Sequence, residues 1–387
     1  KGISIDHRVG DMLIDLEAQF EALNSELVEY SGGKKPGTKA MFLAFREMGY
    51  IDESKIQYTP KGNPRYGKEF LEAMVTDEHL IQVLKKRSKL QKLLGTYVRK
   101  FNDSFIENGK FFPYYAQTRS ETDYGTRTGR LSSNIQQLPK DSNNAANDGS
   151  NLPSIRSLMV PSSPGKSFVK RDFSGQELRV AAHFAEGKIL KAYQESPTLD
   201  VHKFVEELVV EITGIRLSRA AVKTISFLKL YGGGAKVLAK QLNIEIEEAR
   251  GFFDAYDTAL PEFKELMYTV ERESKSGKKI ITWGGRGYDV ENKNGQLLYY
   301  KLGNILIQGS AADMTKEAMI RYHNHPYRQG TMVLTVHDEI VTEVDDEHID
   351  SEMKILKWSM DNIEGWDVPL RSDGEVGKNL AEMKDYE

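Results

Sequence analysis

The segment from residue 219 to residue 234 limits the possible folds of this chain more than any other. Arg219, Lys223, Phe227 and Tyr231 are spaced by four, and Gly232–Gly234 follow directly. On an α-helix each step of four residues turns by about 400°, so the four side chains share one face that spans roughly 18 Å. The spacing predicts a helix that ends at the glycines, with two cations at one end of this face and two aromatic rings at the other.

This four-residue face has two interpretations. It suits a ligand with an anionic tail and a flat, stackable head, and a nucleoside triphosphate has that shape. An amphipathic helix with one charged end and one end in the core gives the same pattern. The segment alone does not decide between them.

Composition sets limits on the class of protein. The 387 residues exceed a single typical core, which predicts two or three subdomains. A net charge of -4 excludes a globally basic nucleic-acid binder, so any DNA contact requires a local basic patch. The absence of cysteine excludes disulfides, thiolate metal sites and a cysteine nucleophile.

The sequence also gives expectations about location and completeness. No apolar run approaches the roughly 20 residues that cross a membrane, and the cysteine-free composition fits a reducing compartment. We expect a cytoplasmic monomer, in the host cytoplasm if the protein is viral. The first residue is Lys1 rather than Met, so we expect a fragment of a longer polypeptide.

A local basic patch does occur in the N-terminal part. Apolar residues with helical spacing predict a long helix over residues 12–27 and a second one near residues 80–97. The second carries a cluster of cations: Lys85, Lys86, Arg87, Lys89, Lys92, Arg99 and Lys100. This patch is either a DNA-binding surface or an ordinary solvated helix face.

Two aspartates stand where strands are predicted to end. Asp338 lies at the tight turn of a predicted hairpin over residues 331–344, and Asp172 follows a predicted strand. Either residue alone is explained by turn chemistry. Two carboxylates about 4 Å apart would repel by about 4 kcal/mol at an effective dielectric near 20, so a fold that brought them together would need a proton or a cation such as Mg²⁺. With the four-residue face, such a pair would indicate phosphoryl or nucleotidyl transfer.

The remaining segments complete the outline. Residues 188–275 have helical patterns, and the polar residues 141–153 predict a surface loop.

Several segments together resemble family A DNA polymerases. They cover essentially the whole chain in the family's order: Thr128–Ser133, Asp172–Arg179, Asp200–His202, Arg219–Gly232, Gln308–Asp313 and His337–Glu339. The resemblance implies an α+β right-hand fold with an antiparallel-sheet palm, helical fingers and a helical thumb. The implied subdomains are a palm of residues 1–23, 119–187 and 287–387, a thumb of residues 24–118 and fingers of residues 188–286.

The resemblance also implies roles for individual residues. Asp172, Asp338 and the Phe173 carbonyl would hold two magnesium ions, with manganese as an alternative, and Glu339 belongs to the same catalytic motif. The predicted nucleotide-binding residues are Arg219, Lys223, Phe227, Tyr231, His202 and Glu177, of which Lys223 would also protonate the pyrophosphate and Glu177 would exclude a 2′-hydroxyl. The predicted DNA-binding residues are Arg130, Gln136, Asn304, Gln308, His337, Lys85, Lys86 and Lys89.

The resemblance leads to a specific functional hypothesis. We expect a DNA polymerase that extends a primer 3′-OH with dNTPs on a primer–template, with replisome or processivity factors as further partners. Gly175 and the segment Leu230–Gly234 look more like phage replicative enzymes than bacterial repair enzymes, which favours viral DNA replication. We expect no proofreading exonuclease in this chain, because the polymerase-like sequence begins almost at once.

Three other classes of protein fit these residues less well. A single-subunit RNA polymerase shares the palm design, but a carboxylate at Glu177 disfavours ribonucleotides. A catalytically dead DNA-binding scaffold would not need both aspartates, Arg219 and Lys223. A metal-dependent nuclease has no use for the four-residue face.

Overall fold

The computed structural model describes residues 2–119, 125–139 and 152–386 and has the expected α+β class. Most of the predicted surface loop of residues 141–153 lies outside the described residues. The helices are α1 (Val9–Tyr30), α2 (Lys39–Glu47), α3 (Lys68–Met74), α4 (Glu78–Leu93), α5 (Arg99–Asn108), α6 (Gln176–Ala185), α7 (Lys188–Glu195), α8 (Val201–Thr213), α9 (Arg219–Tyr231), α10 (Ala235–Leu242), α11 (Ile246–Ala259), α12 (Pro261–Lys275), α13 (Lys301–Asn324) and α14 (Ile349–Asp361).

The strands form one main sheet and several small ones. They are β1 (Ile3–Ile5), β2 (Lys110–Phe111), β3 (Tyr115–Ala116), β4 (Ser132–Ser133), β5 (Met159–Val160), β6 (Lys166–Phe173), β7 (Ile280–Ile281), β8 (Gly287–Tyr288), β9 (Asn292–Lys293), β10 (Gln296–Leu297), β11 (Thr331–Val336), β12 (Glu339–Asp345), β13 (Ser372–Gly377) and β14 (Lys384–Asp385). The main sheet is antiparallel, in the order β11-β12-β6-β13-β14.

The centre of the main sheet positions the acidic residues. Strand β6 lies between β12 and β13, and in this register Asp172 stands opposite Glu339 on one side and Asp373 on the other. The predicted hairpin is confirmed, since β11 and β12 are joined by His337 and Asp338 alone. His337 has a φ of 57°, a left-handed conformation that lets so short a turn close.

The C-terminal helices pack around one core that reaches the main sheet. Helices α6 to α12 and the central helix α13 share this core with α14 and with apolar residues of β6 and β12. Helix α13 is buried along most of its length, and it packs against α6, α9 and α12. The helical character predicted for residues 188–275 is therefore confirmed, and α9 rests on a wide apolar base.

The N-terminal helices pack in two further apolar cores, which are separate from the C-terminal one. Helices α4 and α5 are joined by a π-helical turn at Leu94–Val98, and together with α1 they pack on the small sheet β2-β1-β5. Farther along the chain α2, α3 and the first turns of α4 enclose a separate apolar cluster with Leu27 of α1. No helix of the described residues is long and apolar enough to cross a bilayer.

Candidate active site

A cleft of about 790 Å³ lies where the end of the main sheet faces α8 and α9. Many of the residues singled out from the sequence line it: Arg130, Glu177, His202, Arg219, Lys223, Phe227, Tyr231, His337 and Asp338. They come from five segments that are distant in the sequence, and the fold places them around one cleft.

The two aspartates converge at the base of this cleft. Asp172 is the penultimate residue of β6, Asp338 lies in the β11–β12 turn and lines the cleft, and the two side chains interact directly behind its wall. Burial is the largest influence on the pKa of Asp338 and raises it, while Arg130, His337 and the bond to Asp172 act in the opposite direction. Two partly buried carboxyl groups in direct contact need a shared proton or a cation between them.

Helix α9 has the bounds and the end that the spacing predicted. The Ser218 hydroxyl accepts a hydrogen bond from the Ala221 amide at the N-terminus, and Gly232, with a φ of 73°, ends the helix in the left-handed conformation. The rings of Phe227 and Tyr231 are stacked, with centroids 6.0 Å apart and planes inclined by 12°. The aromatic half of the four-residue face is therefore ordered for contact with a flat group.

The cationic half of the face meets the start of α8. The Asp200 carboxylate caps α8 by accepting from the amides of His202 and Lys203, and it also accepts from Arg219 Nε at 2.8 Å. Lys223 is exposed in the cleft. One acidic residue thus orients both Arg219 and the helix that carries His202.

His202 is an electrostatically unusual residue. Burial, and then the charges of Arg219 and Lys223, lower its pKa to about 4, so the imidazole is neutral at pH 7. Its Nδ1 is buried and has no hydrogen-bond partner among the described residues. An anionic ligand in this part of the cleft would counter the charge repulsion and favour the protonated imidazole.

Glu177 connects α6 to α9 across the cleft. It follows the turn at Gly175, whose φ of 65° starts α6 directly after β6. The Tyr231 hydroxyl donates to one oxygen of the Glu177 carboxylate, and Arg130 Nη1 lies 3.0 Å from the other. Burial and the Glu177 charge raise the pKa of Tyr231 to about 12, so its hydroxyl remains a donor at neutral pH.

Several predicted site residues lie outside the wall of the cleft. Glu339 is near Lys170, with Oε2 3.9 Å from Nζ, and Phe173 is buried with its amide 3.4 Å from the Asp338 carbonyl oxygen. The Gln136 side chain donates to the Leu131 carbonyl at 2.5 Å. These contacts place the three residues close to the cleft without exposing them in it.

Helix α13 carries two further predicted DNA contacts. Asn304 and Gln308 are one turn apart, which puts them on the same side of the helix. Gln308 forms a side-chain hydrogen bond with Tyr231. This bond connects the central helix to the aromatic end of the four-residue face.

The predicted basic patch lies far from the cleft, on α4 and α5. Arg87 is half-buried: its Nε donates to Asn24 at 2.7 Å, and its guanidinium lies 5.1 Å from the centre of the Phe20 ring. Arg99 is paired with Glu17 at 3.0 Å. Both arginines hold α1 against α4 and α5. Among the lysines of the patch, Lys85, Lys92 and Lys100 are exposed, whereas Lys86 and Lys89 are half-buried.

Several residues that line the cleft were not singled out from the sequence, among them Arg179, Tyr193, Arg371 and Asp373. Asp373 lies in β13 and Arg371 directly before it, and Asp373 accepts from the Ser174 hydroxyl at 2.5 Å. Arg179 lies 4.2 Å from the centre of the Tyr193 ring and donates to three backbone carbonyls. No spacing within the sequence links β13 to β6, so pairing in the sheet was the only signal for Arg371 and Asp373.

The donor set at the base of the cleft fits a hard divalent cation. Carboxylate oxygens are the ligands that Mg²⁺ prefers, and this ion usually keeps several waters and binds substrate phosphates as well. No group of three or more acidic or histidine side chains that could hold a metal occurs in the described ranges. The carboxylates of Asp172 and Asp338 are the protein groups that would hold such an ion.

Comparison with known proteins gives the family. The model of the family "DNA polymerase family A" matches residues 9–382. DNA polymerase I of Streptococcus pneumoniae is 28% identical over 399 residues, covering 97% of this chain and 43% of that protein. The thermostable DNA polymerase I of Thermus filiformis is 26% identical over 404 residues, covering 99% and 46%. The chain thus spans less than half the length of these curated relatives.

A solved structure confirms the predicted right-hand fold. The polymerase domain of Pol1 from M. smegmatis, in complex with a DNA primer-template and dNTP, aligns with a TM-score of 0.79 at 23% identity. The alignment covers 98% of this chain and 67% of that one. With the family model matching nearly from end to end, the chain belongs to DNA polymerase family A.

Proposed function

We propose that this chain is the core of a template-directed DNA polymerase, which adds dNTPs to a primer 3′-OH and releases pyrophosphate. The observation that carries the proposal is the cleft itself. It joins the interacting pair of Asp172 and Asp338 to a helix face with cations at one end and stacked aromatic rings at the other. Membership of the family and the DNA and dNTP in the related structure support the same substrates.

In this proposal the carboxylates form the metal-binding base of the site. Asp172 and Asp338, with the Phe173 carbonyl, would hold two magnesium ions, which when bound activate the attacking hydroxyl and stabilise the leaving oxygen. Glu339 stays near this pair as an additional acidic group, balanced by Lys170.

The four-residue face binds the incoming nucleotide. Arg219, Lys223 and His202 bind the triphosphate, and Lys223 donates a proton to the pyrophosphate oxygen as the bond to the α-phosphate breaks. Phe227 and Tyr231 pack on the sugar and the base. The low pKa of His202 means that the empty site keeps a neutral imidazole, which can take up a proton when the anionic triphosphate enters.

Glu177 acts as the sugar gate. Its carboxylate is only 8% exposed and is held on both sides by Tyr231 and Arg130. A carboxylate fixed in this way leaves no room to relax around a 2′-hydroxyl, so ribonucleotides are excluded by the position of the group.

The remaining predicted residues contact the DNA. Arg130 and Gln308 read acceptors in the minor groove at the primer terminus, which are shared among base pairs and so permit a nearly sequence-independent check. Gln136, Asn304 and His337 contact the primer–template near the cleft. Lys85, Lys86 and Lys89 bind the phosphates of the duplex from α4.

The subdomain assignment follows from these roles. Residues 1–23, 119–187 and 287–387 form the palm, residues 24–118 the thumb and residues 188–286 the fingers. We further propose a role in phage DNA replication, supported by Gly175 and by the glycines after Tyr231; the relatives named above are bacterial.

Primer extension tests this function. The wild-type chain is incubated with a primed template and Mg²⁺, and each dNTP and each rNTP is offered against each templating base. We expect one complementary dNTP to be added per template position, with strong preference over the matching rNTP. Addition that ignores the template, or equal use of rNTPs, would contradict the proposal and favour a terminal transferase or an RNA polymerase.

A further inference from the structure

A partly buried ion pair next to the cleft connects three segments of the chain. Arg286, in the turn between β7 and β8, is paired with Asp313 of α13, with Nη2 2.6 Å and Nε 2.8 Å from the Asp313 Oδ1. The other carboxylate oxygen accepts from the Thr282 hydroxyl at 2.6 Å and from the Gly284 amide at 3.0 Å. Asp313 is therefore fully satisfied, and its side chain is only 9% exposed.

The Arg286 guanidinium touches the neighbours of two predicted DNA-reading residues. Its Nη2 donates to the Gly309 carbonyl at 2.8 Å, directly after Gln308. Its Nη1 also packs against Gly129, the residue directly before Arg130. A Cβ added at Gly129 would lie only 1.5 Å from this nitrogen. Gly129 has a φ of 76°, so both its conformation and the space it leaves require glycine.

A second set of contacts joins the same segments. The Trp283 amide donates to the Ser310 hydroxyl at 2.9 Å, and a Cβ on Gly309 would lie 2.6 Å from the Thr282 side chain and 3.5 Å from the Thr128 carbonyl oxygen. The loop that carries Arg130 and the helix turn that carries Gln308 are thus packed against each other, with Arg286 inserted between them. Neither arginine nor aspartate of the ion pair lines the cleft.

We propose that Arg286 and Asp313 are positioning residues that fix the distance between Arg130 and Gln308 and thereby set how strictly the primer terminus is checked for mismatches. The proposal rests on the proposed function. Arg130 and Gln308 also meet at the other end of the contact network, since both reach the Glu177–Tyr231 pair. A change in their separation would reach the gate and the primer terminus together.

The test is a double-mutant cycle on mismatch discrimination. Arg286→Lys keeps the charge but loses the forked geometry that bonds Asp313, Tyr288 and Gly309 together. We expect the ratio of matched to mismatched primer extension to fall about tenfold, the size of one lost well-aligned hydrogen bond to a charged group. In a Gln308→Ala background the same substitution should change this ratio less than twofold, because the residue through which it acts is gone.

Two further variants separate positioning from stability. Asp313→Asn keeps the shape of the side chain but removes its charge, and it should lower mismatch discrimination as Arg286→Lys does. If Arg286→Lys does not fold, Asp313→Asn takes its place in the double-mutant cycle. Asp346→Asn breaks an ion pair with Lys378 at 2.6 Å that is more exposed, and because this pair lies outside the cleft its loss should leave discrimination unchanged; the Tm of each variant is measured alongside.

The outcomes are distinguishable. If the wild type extends matched primers but the effects of Arg286→Lys and Gln308→Ala on mismatch discrimination are additive, the positioning role is wrong and the proposed function stands. If Asp346→Asn loses as much mismatch discrimination as Arg286→Lys, the loss reflects general stability, and the positioning role is again wrong. A wild type that extends no matched primer would contradict the proposed function, and the positioning role with it.

Discussion

The cleft and the basic rod of α4 and α5 both display cations at helical spacing, yet they use them differently. In the cleft, Arg219 and Lys223 lie on one face of α9, opposite His202, and the partly buried pair of Asp172 and Asp338 lies at the base of the same cleft. On α4 and α5, Arg87 and Arg99 are bound to α1, and lysines such as Lys85, Lys92 and Lys100 are exposed to solvent.

The difference shows what makes a charged helix face informative. A row of cations becomes a specific site when other segments supply groups that complement the rest of the ligand, as the stacked rings and the acidic base do for α9. A row of cations without complementary groups from other segments is suited to a repeating partner such as a phosphate backbone, which it binds independently of sequence. The two regions should therefore fail in different ways when they are altered.

Loss of an acidic residue at the base of the cleft should have the largest effect. Asp338→Asn removes the charge that a divalent cation requires, and we expect single-turnover primer extension to fall by more than about 10³-fold, equivalent to several kcal/mol of transition-state stabilisation. Duplex affinity, measured by fluorescence anisotropy, should change less than threefold. A variant that extends primers at the wild-type rate would refute the role of the pair.

Removal of the rod lysines should produce the opposite pattern. With Lys85, Lys86 and Lys89 all changed to Ala, the salt dependence of log Kd should flatten by about 2 to 3, and DNA affinity at 0.1 M salt should drop by about 100-fold. The rate at saturating DNA should be retained. A control variant with the same loss of charge replaces exposed lysines outside the cleft, Lys354, Lys357 and Lys384. Equal salt slopes for the two variants would restore the solvated-face interpretation.

The next effect concerns a single cation of the cleft. Lys223→Ala should reduce the rate of incorporation per bound dNTP and weaken dNTP binding, together by about 30-fold, the range of one charge-assisted hydrogen bond and a proton donor. Lys240→Ala, on the neighbouring helix α10 and outside the cleft, is the matched control. Similar losses in both variants, measured by rapid quench over a dNTP series, would argue against a specific role.

The sugar gate should give a smaller change, confined to selectivity. Glu177→Ala removes the group held by Tyr231 and Arg130, and the preference for dNTP over rNTP should decrease about tenfold, since one excluded contact corresponds to about 1.4 kcal/mol. Glu195→Ala on the surface of α7 serves as the control. Unchanged selectivity would assign Glu177 to the structural contacts alone.

The pKa of His202 leads to the smallest expected effect. Because the folded imidazole has a pKa of about 4 against an ordinary 6.5, the folded state binds fewer protons than the unfolded state between these values. The free energy of unfolding should therefore rise with pH across that window. His202→Asn should remove about 1 kcal/mol of this rise, after allowance for partial exposure, in urea titrations at pH 5 and pH 7. An unchanged pH dependence would indicate an ordinary imidazole.

Sequence patterns gave the local elements and the main chemistry. Four-residue spacing and the glycines identified α9 with its direction, and alternation identified the β11–β12 hairpin with Asp338 at its turn. Each pattern lies within a single helix or hairpin, where the periodicity of apolar and polar residues is sufficient to predict the structure. The resemblance then supplied the order of the motifs and the right-hand fold.

Contacts between distant segments were beyond the sequence. Arg286 and Asp313 are 27 residues apart and belong to no paired spacing, and Asp200 gains its second role only because α8 meets the start of α9. Arg87 was placed with the basic patch, and only the packing of α1 shows that it is partly used to hold the rod. Such roles depend on which surfaces meet, and this is decided by tertiary packing.

The comparison between the two regions is tested most directly by measuring two affinities on the same proteins. The Kd for primer–template and the Kd for the next complementary dNTP are determined for wild type, for Lys223→Ala and for the triple variant of Lys85, Lys86 and Lys89. We expect Lys223→Ala to weaken only dNTP binding and the triple variant to weaken only DNA binding. If both variants weaken the same ligand, or neither affinity moves, the assignment of the cleft to the triphosphate and of the rod to the duplex is wrong.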